Sequence, residues 1–372
     1  MNQKKHALKQ KARAWLCLTL LVFALAAWGW LAYQKNEGVR FVRQLGAGIN
    51  LGNSLDVYKL AGRKPDASVE DFETYWGNPP ATPRLMAAIR DGGFSTVRIP
   101  VSWGEHMDEN GDVDPAWMAR VTQVVDDALD AGLYVILDTH HEPWLEPTSA
   151  REARVEAVLR HLWAQIAENF AGRGEHLLFE GMNEPRLRDS DVEWTSGSNS
   201  MRGVVNRLNA AFVETVRAAG GENTDRWLLL PAYATAHRET ALSALELPAD
   251  RRLIVAVHAY LPYSFTLDEE GDTAWSSAQP DDTRKIDELM DRLDRLFLKR
   301  KIPVVITEFG CHDRVDAQAR LDWAGYYTRA AREKGIPLVW WDNGKDSRLI
   351  DRATCQWTQP ELARLLVKQA VS

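Results

Sequence analysis

The chain has 372 residues, 45% hydrophobic and 26% charged, with a net charge of −7. This is ordinary globular composition, and with no Lys/Arg-rich face in the body it excludes nucleic acid and anionic membrane surfaces as partners. Three cysteines without paired spacing exclude a disulfide framework and a zinc cluster; only Cys311 and Cys355 are placed to pair, and two free thiols are an equal alternative.

Lys4, Lys5, Lys9, Lys11 and Arg13 precede residues 14–33, AWLCLTLLVFALAAWGWLAY, which carry no charge. Such a run is long enough to span hydrocarbon as a helix, and its basic flank favours a cytoplasmic N-terminus. A cleavable signal peptide begins the same way, with Ala24–Ala26 as an acceptable cut site. Residues 1–35 are therefore read as a basic stub plus a transmembrane signal anchor or signal peptide. Either way the body crosses the membrane. Its expected location is extracytoplasmic, anchored to the inner membrane and facing the periplasm, or secreted after cleavage.

From Arg40 onward, apolar runs alternate with amphipathic ones. Strands are expected at 44–50, 96–101, 134–140, 177–183, 227–233, 253–260, 303–309 and 337–343. They are nearly continuous hydrophobic runs, as parallel strands covered on both faces require. Helical patterns lie between them, several opening on proline or an acidic cap and closing on glycine, as in PRLMAAIRDGG and DPAWMARVTQVVDDALDAG. Weaker helical patterns occupy 236–246 and 358–370. Eight strands, each leading to a helix, predict a (β/α)8 barrel over residues 40–372, a single domain and a monomer. A doubly wound open sheet is the competitor, but the chain has no Gly-rich phosphate loop.

The longer excursions, 52–80, 142–150, 186–199 and 261–280, all follow strands and so crowd one rim, where active sites sit in this architecture. Six strands end there in polar groups: Arg98, then Asp138 with His140 and His141, Asn183 with Glu184, His258 with Tyr260, Glu308, and Trp341 with Asp342 and Asn343. Alone, each has a structural explanation as a cap, a core ion pair or a hydrogen-bonded histidine. Their common position argues against separate accidents.

Glu184 and Glu308 are expected to face each other across the mouth. Two carboxyls about 5–5.5 Å apart perform retaining glycoside hydrolysis, and about 6.5–9.5 Å would mean inversion. With Arg98 and Tyr260 as neighbours, Glu308 is expected to be charged, its pKa lowered, and to act as nucleophile; Glu184, beside that charge, suits the general acid. Asn183 is placed to bond a sugar 2-hydroxyl. Indole faces stack on sugar rings, which makes Trp76, Trp103, Trp144, Trp194 and Trp275 candidate rim platforms and Trp341 the favoured one. Asn50 and Asp342 complete the candidate subsites. A metal-dependent reading of DTHHE (138–142) is the competitor, weakened by the lack of a second carboxylate cluster.

The motifs GINLGNSLD (48–56), WGNPPATPRLMAAIRDGGFSTVRIPVSW (76–103), DTHHE (138–142), GMNEPR (181–186), VHAY (257–260), ITEFG (306–310) and WWDNG (340–344) together resemble glycoside hydrolase family 5, in its bacterial endo-β-1,4-glucanase branch, which includes xyloglucanases and mixed-linkage glucanases. The resemblance runs from about Gly46 to Gly344. It implies a retaining mechanism without cofactor or metal. It places the acid/base on Glu184 and the nucleophile on Glu308, with Arg98, His140, Asn183, His258 and Tyr260 as supports. It favours His140 over His141, puts Trp341 at the subsite of the cleaved sugar, and suggests a cis peptide from Trp341 to Asp342. The substrate expected is a β-glucan such as cellulose. Xyloglucan, mixed-linkage glucan and mannan are alternatives on the same machinery, and a membrane-tethered glucan-binding protein is the non-enzymatic one.

Overall fold

The computed structural model describes residues 37–370. Eight parallel strands close into a barrel in chain order: β1 (Ala47–Leu51), β2 (Thr96–Ile99), β3 (Tyr134–Asp138), β4 (Leu177–Glu180), β5 (Leu228–Ala236), β6 (Leu253–His258), β7 (Val304–Phe309) and β8 (Leu338–Asp342), with β8 pairing back onto β1. All eight expected strands are present. Several expected runs overshoot at their C-terminal ends, where the backbone leaves the ladder to knit the rim. The His140 N–H donates to Val101 O, and the Asn183 N–H to Thr139 O.

The helices are α1 (Glu37–Gln44), α2 (Val69–Thr74), α3 (Pro83–Asp91), α4 (Pro115–Asp130), α5 (Glu152–Asn169), α6 (Asn199–Ala218), α7 (Glu239–Ser243), α8 (Tyr263–Thr266), α9 (Pro280–Leu296), α10 (Ala317–Lys334) and α11 (Pro360–Ala370). Their ends follow the local chemistry read from sequence. Asp114 caps α4 ahead of Pro115, and Gly335 closes α10 in the left-handed conformation at φ 72°. The helix expected at 236–246 is only the short α7. The expected anchor or signal segment, residues 14–33, lies outside the described residues. No helix among the described residues is long and apolar enough to cross a membrane. Cys311 and Cys355 are both free thiols. Among the described residues the cis peptide bond is Leu261–Pro262, and the Trp341–Asp342 bond is not cis.

Two apolar cores hold this architecture. The larger lies between sheet and helices. The smaller fills the barrel's lower interior with Ile136, Leu178, Leu229, Ile254, Ala256, Val305 and Val339, and α1 plugs it from below with Phe41 and Val42, joined by Leu45 just after the helix. Phe41 stacks on Trp227 at 4.7 Å, and Gly38 lets the helix approach Pro303, where a Cβ would come within 2.8 Å. The barrel is thus sealed at its N-terminal end, and its upper interior is left to polar side chains. Beside the seal, a hollow of about 510 Å³ lined by Arg43, Ser95, Arg332 and Pro337 holds no carboxylate pair and lies away from the rim.

One irregularity re-aims a key residue. Val305 points into the barrel with the inner core, so on a regular strand Glu308, three residues on, would point outward. The β6–β7 pairing slips between Val257–Ile306 and His258–Glu308, and Phe309 instead packs outward on Trp323 and Tyr327. The slip turns Glu308 into the barrel mouth, as bulges near reactive sites do.

Candidate active site

Arg98 on β2 is the hub. Its guanidinium is fully buried and donates to Glu180 Oε2 (2.7 Å), Glu308 Oε1 (2.8 Å), Asn183 Oδ1 (2.9 Å) and Asn50 Oδ1 (3.0 Å), and it forms an ion pair with Asp138 Oδ2 at 2.7 Å. Burial pulls its pKa down, but Glu180, Asp138 and Glu308 together outweigh burial and hold it well above the arginine range. This planar fork faces four strands at once, β1, β3, β4 and β7, so Arg98 fixes where the acidic ends of the last three sit.

Glu184 and Glu308 converge. His258 Nδ1 lies 3.0 Å from Glu184 Oε1 and 3.5 Å from Glu308 Oε2, and one atom from each of the three residues lies within 4.8 Å of the others. The Tyr260 hydroxyl donates to Glu308 Oε2 at 2.9 Å. The expectation of a lowered Glu308 pKa is overturned: burial is the largest influence and raises it, with His258 and Arg98 opposing. Burial also raises Glu184, against Arg186, Arg98 and Arg188. The two carboxyls titrate as a pair. Glu308 is the member with a guanidinium N–H and a phenol O–H in direct contact, so the shared charge rests there. Glu184 itself sits in strained backbone at φ 41°, its N–H donating to Thr235 Oγ1 at 3.0 Å.

Around the pair, His140 Nδ1 is 2.8 Å from Asp138 Oδ2 and its Nε2 is 3.4 Å from Asn183 Nδ2. Burial, with Arg98 adding to it, holds His140 well below the imidazole range, so it is neutral. Trp341 lies parallel to His140 at 5.8 Å, and Gly52 clears space for its indole, since a Cβ there would come within 2.8 Å of the ring. His141 stands apart from the carboxyls, in a wall with Tyr58 (4.5 Å) and Trp76 (6.1 Å). The metal reading of DTHHE meets an obstacle in Asp138 and His140, whose facing atoms are engaged with Arg98 and with each other.

Four candidate subsite residues are placed elsewhere. Trp103 is fully buried, its indole N–H on Asp138 O, and Trp275 packs on Tyr326 with its N–H on Asp282 O, so neither offers a face to a ligand. Asn50 spends its amide on Thr307 O and Trp340 O. Asp342 is buried and accepts from Gly344, Leu349, Ile350 and Arg352, anchoring the loop after β8. Trp144 is half-buried against the core, whereas Trp194 is 55% exposed.

Sequence reasoning passed over Glu180, Arg186, Arg188 and Glu193. Glu180 ends β4 beside the Arg98-bound Asp138 of β3, with which it pairs in the sheet. Arg188 is half-buried beside Tyr58, Glu142 and Glu184, yet among the described residues no hydrogen-bond partner meets its guanidinium. Glu142 below it is buried, which pushes its pKa up to about 7. The signal for these arginines was the run RLR after GMNEP, which lies on a rim loop.

The family model described as cellulase (glycosyl hydrolase family 5) matches residues 60–347. Endoglucanase 1 of Ruminococcus albus is 42% identical over 332 residues, 86% of this chain and 78% of that protein. Endoglucanase A of Clostridium longisporum is 39% identical over 347 residues, and the match spans 91% of this chain and 66% of that protein. A solved GH5-4 broad specificity endoglucanase from Ruminococcus champanellensis with bound cellotriose superposes with a TM-score of 0.85 at 36% identity, covering 88% of this chain and 97% of the other. The barrel, its converging carboxyls and these matches agree, and the chain belongs to the cellulases of glycosyl hydrolase family 5.

Proposed function

We propose that this glycoside hydrolase cleaves internal β-1,4-glucosidic bonds of cellulose or related β-glucans by double displacement. The observation that carries the reading is the approach of carboxyl oxygens of Glu184 and Glu308 to within 4.8 Å, which is closer than the about 6.5–9.5 Å that inversion requires and suits retention. Glu308 attacks the anomeric carbon while protonated Glu184 gives its proton to the departing glycosidic oxygen, and a glycosyl ester forms on Glu308. Bonding Glu308 removes its charge. Glu184, now the base, takes a proton from water, which attacks the same carbon and releases Glu308. Arg98 and Tyr260 stabilise the carboxylate before attack and on its return, and Asn183 is held by Arg98 where it can meet the sugar 2-hydroxyl.

Internal cleavage is supported by where the exposed aromatics lie. Among the described residues, the exposed large ones are Tyr75, Trp194 and Tyr263, all on segments that follow strands, so stacking surface extends along the rim beyond the carboxyls. The relatives and the cellotriose-bound neighbour support a β-glucan as substrate. The apolar segment 14–33 supports export of residues 40–372 as a catalytic domain, by anchor or cleaved signal. Parallel assays on carboxymethylcellulose, barley β-glucan, xyloglucan and mannan should show turnover on the first two. Mass spectrometry after treatment with a 2-fluoro cellobioside should find the sugar on Glu308; a label on another residue, or none with turnover intact, sinks the double-displacement reading.

Arg188 is well placed to meet substrate hydroxyls, because none of its guanidinium donors is used among the described residues. Arg188→Ala should raise KM on cellotetraose about tenfold, the loss of one charge-assisted hydrogen bond, with kcat within about twofold and the melting temperature unchanged. An unaltered KM would remove it from the substrate surface.

A further inference from the structure

Beyond the catalytic pair, the loop after β4 carries a device aimed at one of its members. Arg186 is buried, and its Nη1 donates to both the backbone oxygen of Glu184 (3.0 Å) and its carboxyl Oε2 (3.2 Å). Its Nε donates to Glu193 Oε1 at 3.0 Å, and its guanidinium lies 4.0 Å above the Trp194 ring. The other Glu193 oxygen accepts the Asp189 N–H at 2.8 Å. Tyr233 closes the loop: its hydroxyl accepts the Leu187 N–H at 3.0 Å and donates to Val192 O at 3.2 Å. A guanidinium clamped by a carboxylate, an indole face and a carbonyl has little freedom left, so its contact with Glu184 is set by the loop rather than by solvent.

We propose that Arg186 and Glu193 are positioning residues that together set the pH range in which Glu184 works as an acid. Arg186 supplies a fixed positive charge to the acid/base carboxyl, and Glu193 partly cancels it from behind. The inference rests on Glu184 being the proton donor. The other charged and titratable groups around Glu184 are Arg188 on the same loop, Arg98 on β2, Asp138 on β3, His258 and Tyr260 at the end of β6, and Glu308 on β7. After burial, which raises Glu184, Arg186 is the largest lowering influence, and Glu193 acts in the raising direction.

The arrangement makes a prediction of opposite signs. Glu184 must be protonated to donate, so activity falls on the alkaline side as it ionises, and that limb of kcat/KM reports it in the free enzyme. Arg186→Met should move the limb for cellotetraose upward by about one pH unit. Arg186→Lys, which keeps the charge, should leave it near the wild-type position. Glu193→Gln leaves Arg186 uncancelled and should move the limb downward, by about half a unit. The shifts should shrink on 2,4-dinitrophenyl β-cellobioside, whose leaving group departs without a proton. A purely structural brace would lower activity at every pH without moving the limb. Shifts of the same sign in the Arg186→Met and Glu193→Gln variants, or no shift in Glu193→Gln, overturn the proposal. A wild-type enzyme inert on cellotetraose would instead overturn the glycosidase reading beneath it.

Discussion

Glu308→Gln will abolish turnover, by on the order of 10⁴-fold or more, and the protein will be at least as stable as the wild type. The first half follows from chemistry: an amide oxygen is too weak a nucleophile to displace the glycosidic oxygen at the anomeric carbon. The second follows from charge. Asp138, Glu180 and Glu308 all lie on one guanidinium, the first two fully buried and Glu308 nearly so. Burial raises all three carboxyls, which means their joint ionisation costs free energy that Arg98 only partly offsets. Glutamine keeps an oxygen for the Arg98 N–H and removes one negative charge. Activity and stability thus pull against each other at this position. Cellotetraose hydrolysis and thermal denaturation, measured on the same preparation, test both halves. Wild-type turnover would discard the nucleophile assignment, and a melting temperature several degrees lower would discard the account of the charge cluster.

The difference between what the sequence disclosed and what it concealed has a physical pattern. Strand positions were legible because parallel barrel strands are buried on both faces, and eight apolar runs cannot be mistaken for surface. Strand-end polar residues were legible because the architecture assigns them one rim. What failed depended on which way a side chain turns. Trp103 and Trp275 lie on segments that follow strands, unlike Trp341, which is part of β8, and loop paths that no periodicity records fold their rings inward. Glu308 was found by motif and position, although strict alternation from Val305 would have turned it outward; the register slip against β6 is invisible in sequence. Glu180 stood out as a polar residue at the end of an apolar run but was given no role, and it proves to be a principal partner of Arg98. The helix that plugs the barrel, α1, begins where the body was expected to begin, but its role depends on Phe41 meeting Trp227, residues far apart in the chain.

Arg98→Met will have the largest effect on stability, and that effect will depend on pH in an unusual direction. Methionine matches the side chain's apolar stem but leaves Asp138, Glu180 and Glu308 buried without their shared cation, and Asn50 and Asn183 without a donor. Breaking a buried ion pair from one side costs about 3–5 kcal/mol, a large share of the 5–15 kcal/mol typical of a folded domain. The carboxyls then have folded pKa values raised further above their unfolded ones; Asp138 is already raised from 3.8 to about 6 by burial in the intact protein, against the opposing charge of Arg98. An acid whose folded pKa is raised contributes its full stability below the unfolded pKa, and loses it as pH rises through the folded value. The variant will therefore be closest to wild type at about pH 4, near the ordinary carboxyl range, and fall away toward neutrality. Urea midpoints at pH 4.5 and 7.5 measure this. If the variant loses the same amount at both, the three carboxyls are not held by Arg98, and the buried hub that aims Glu308 at its substrate has been misread.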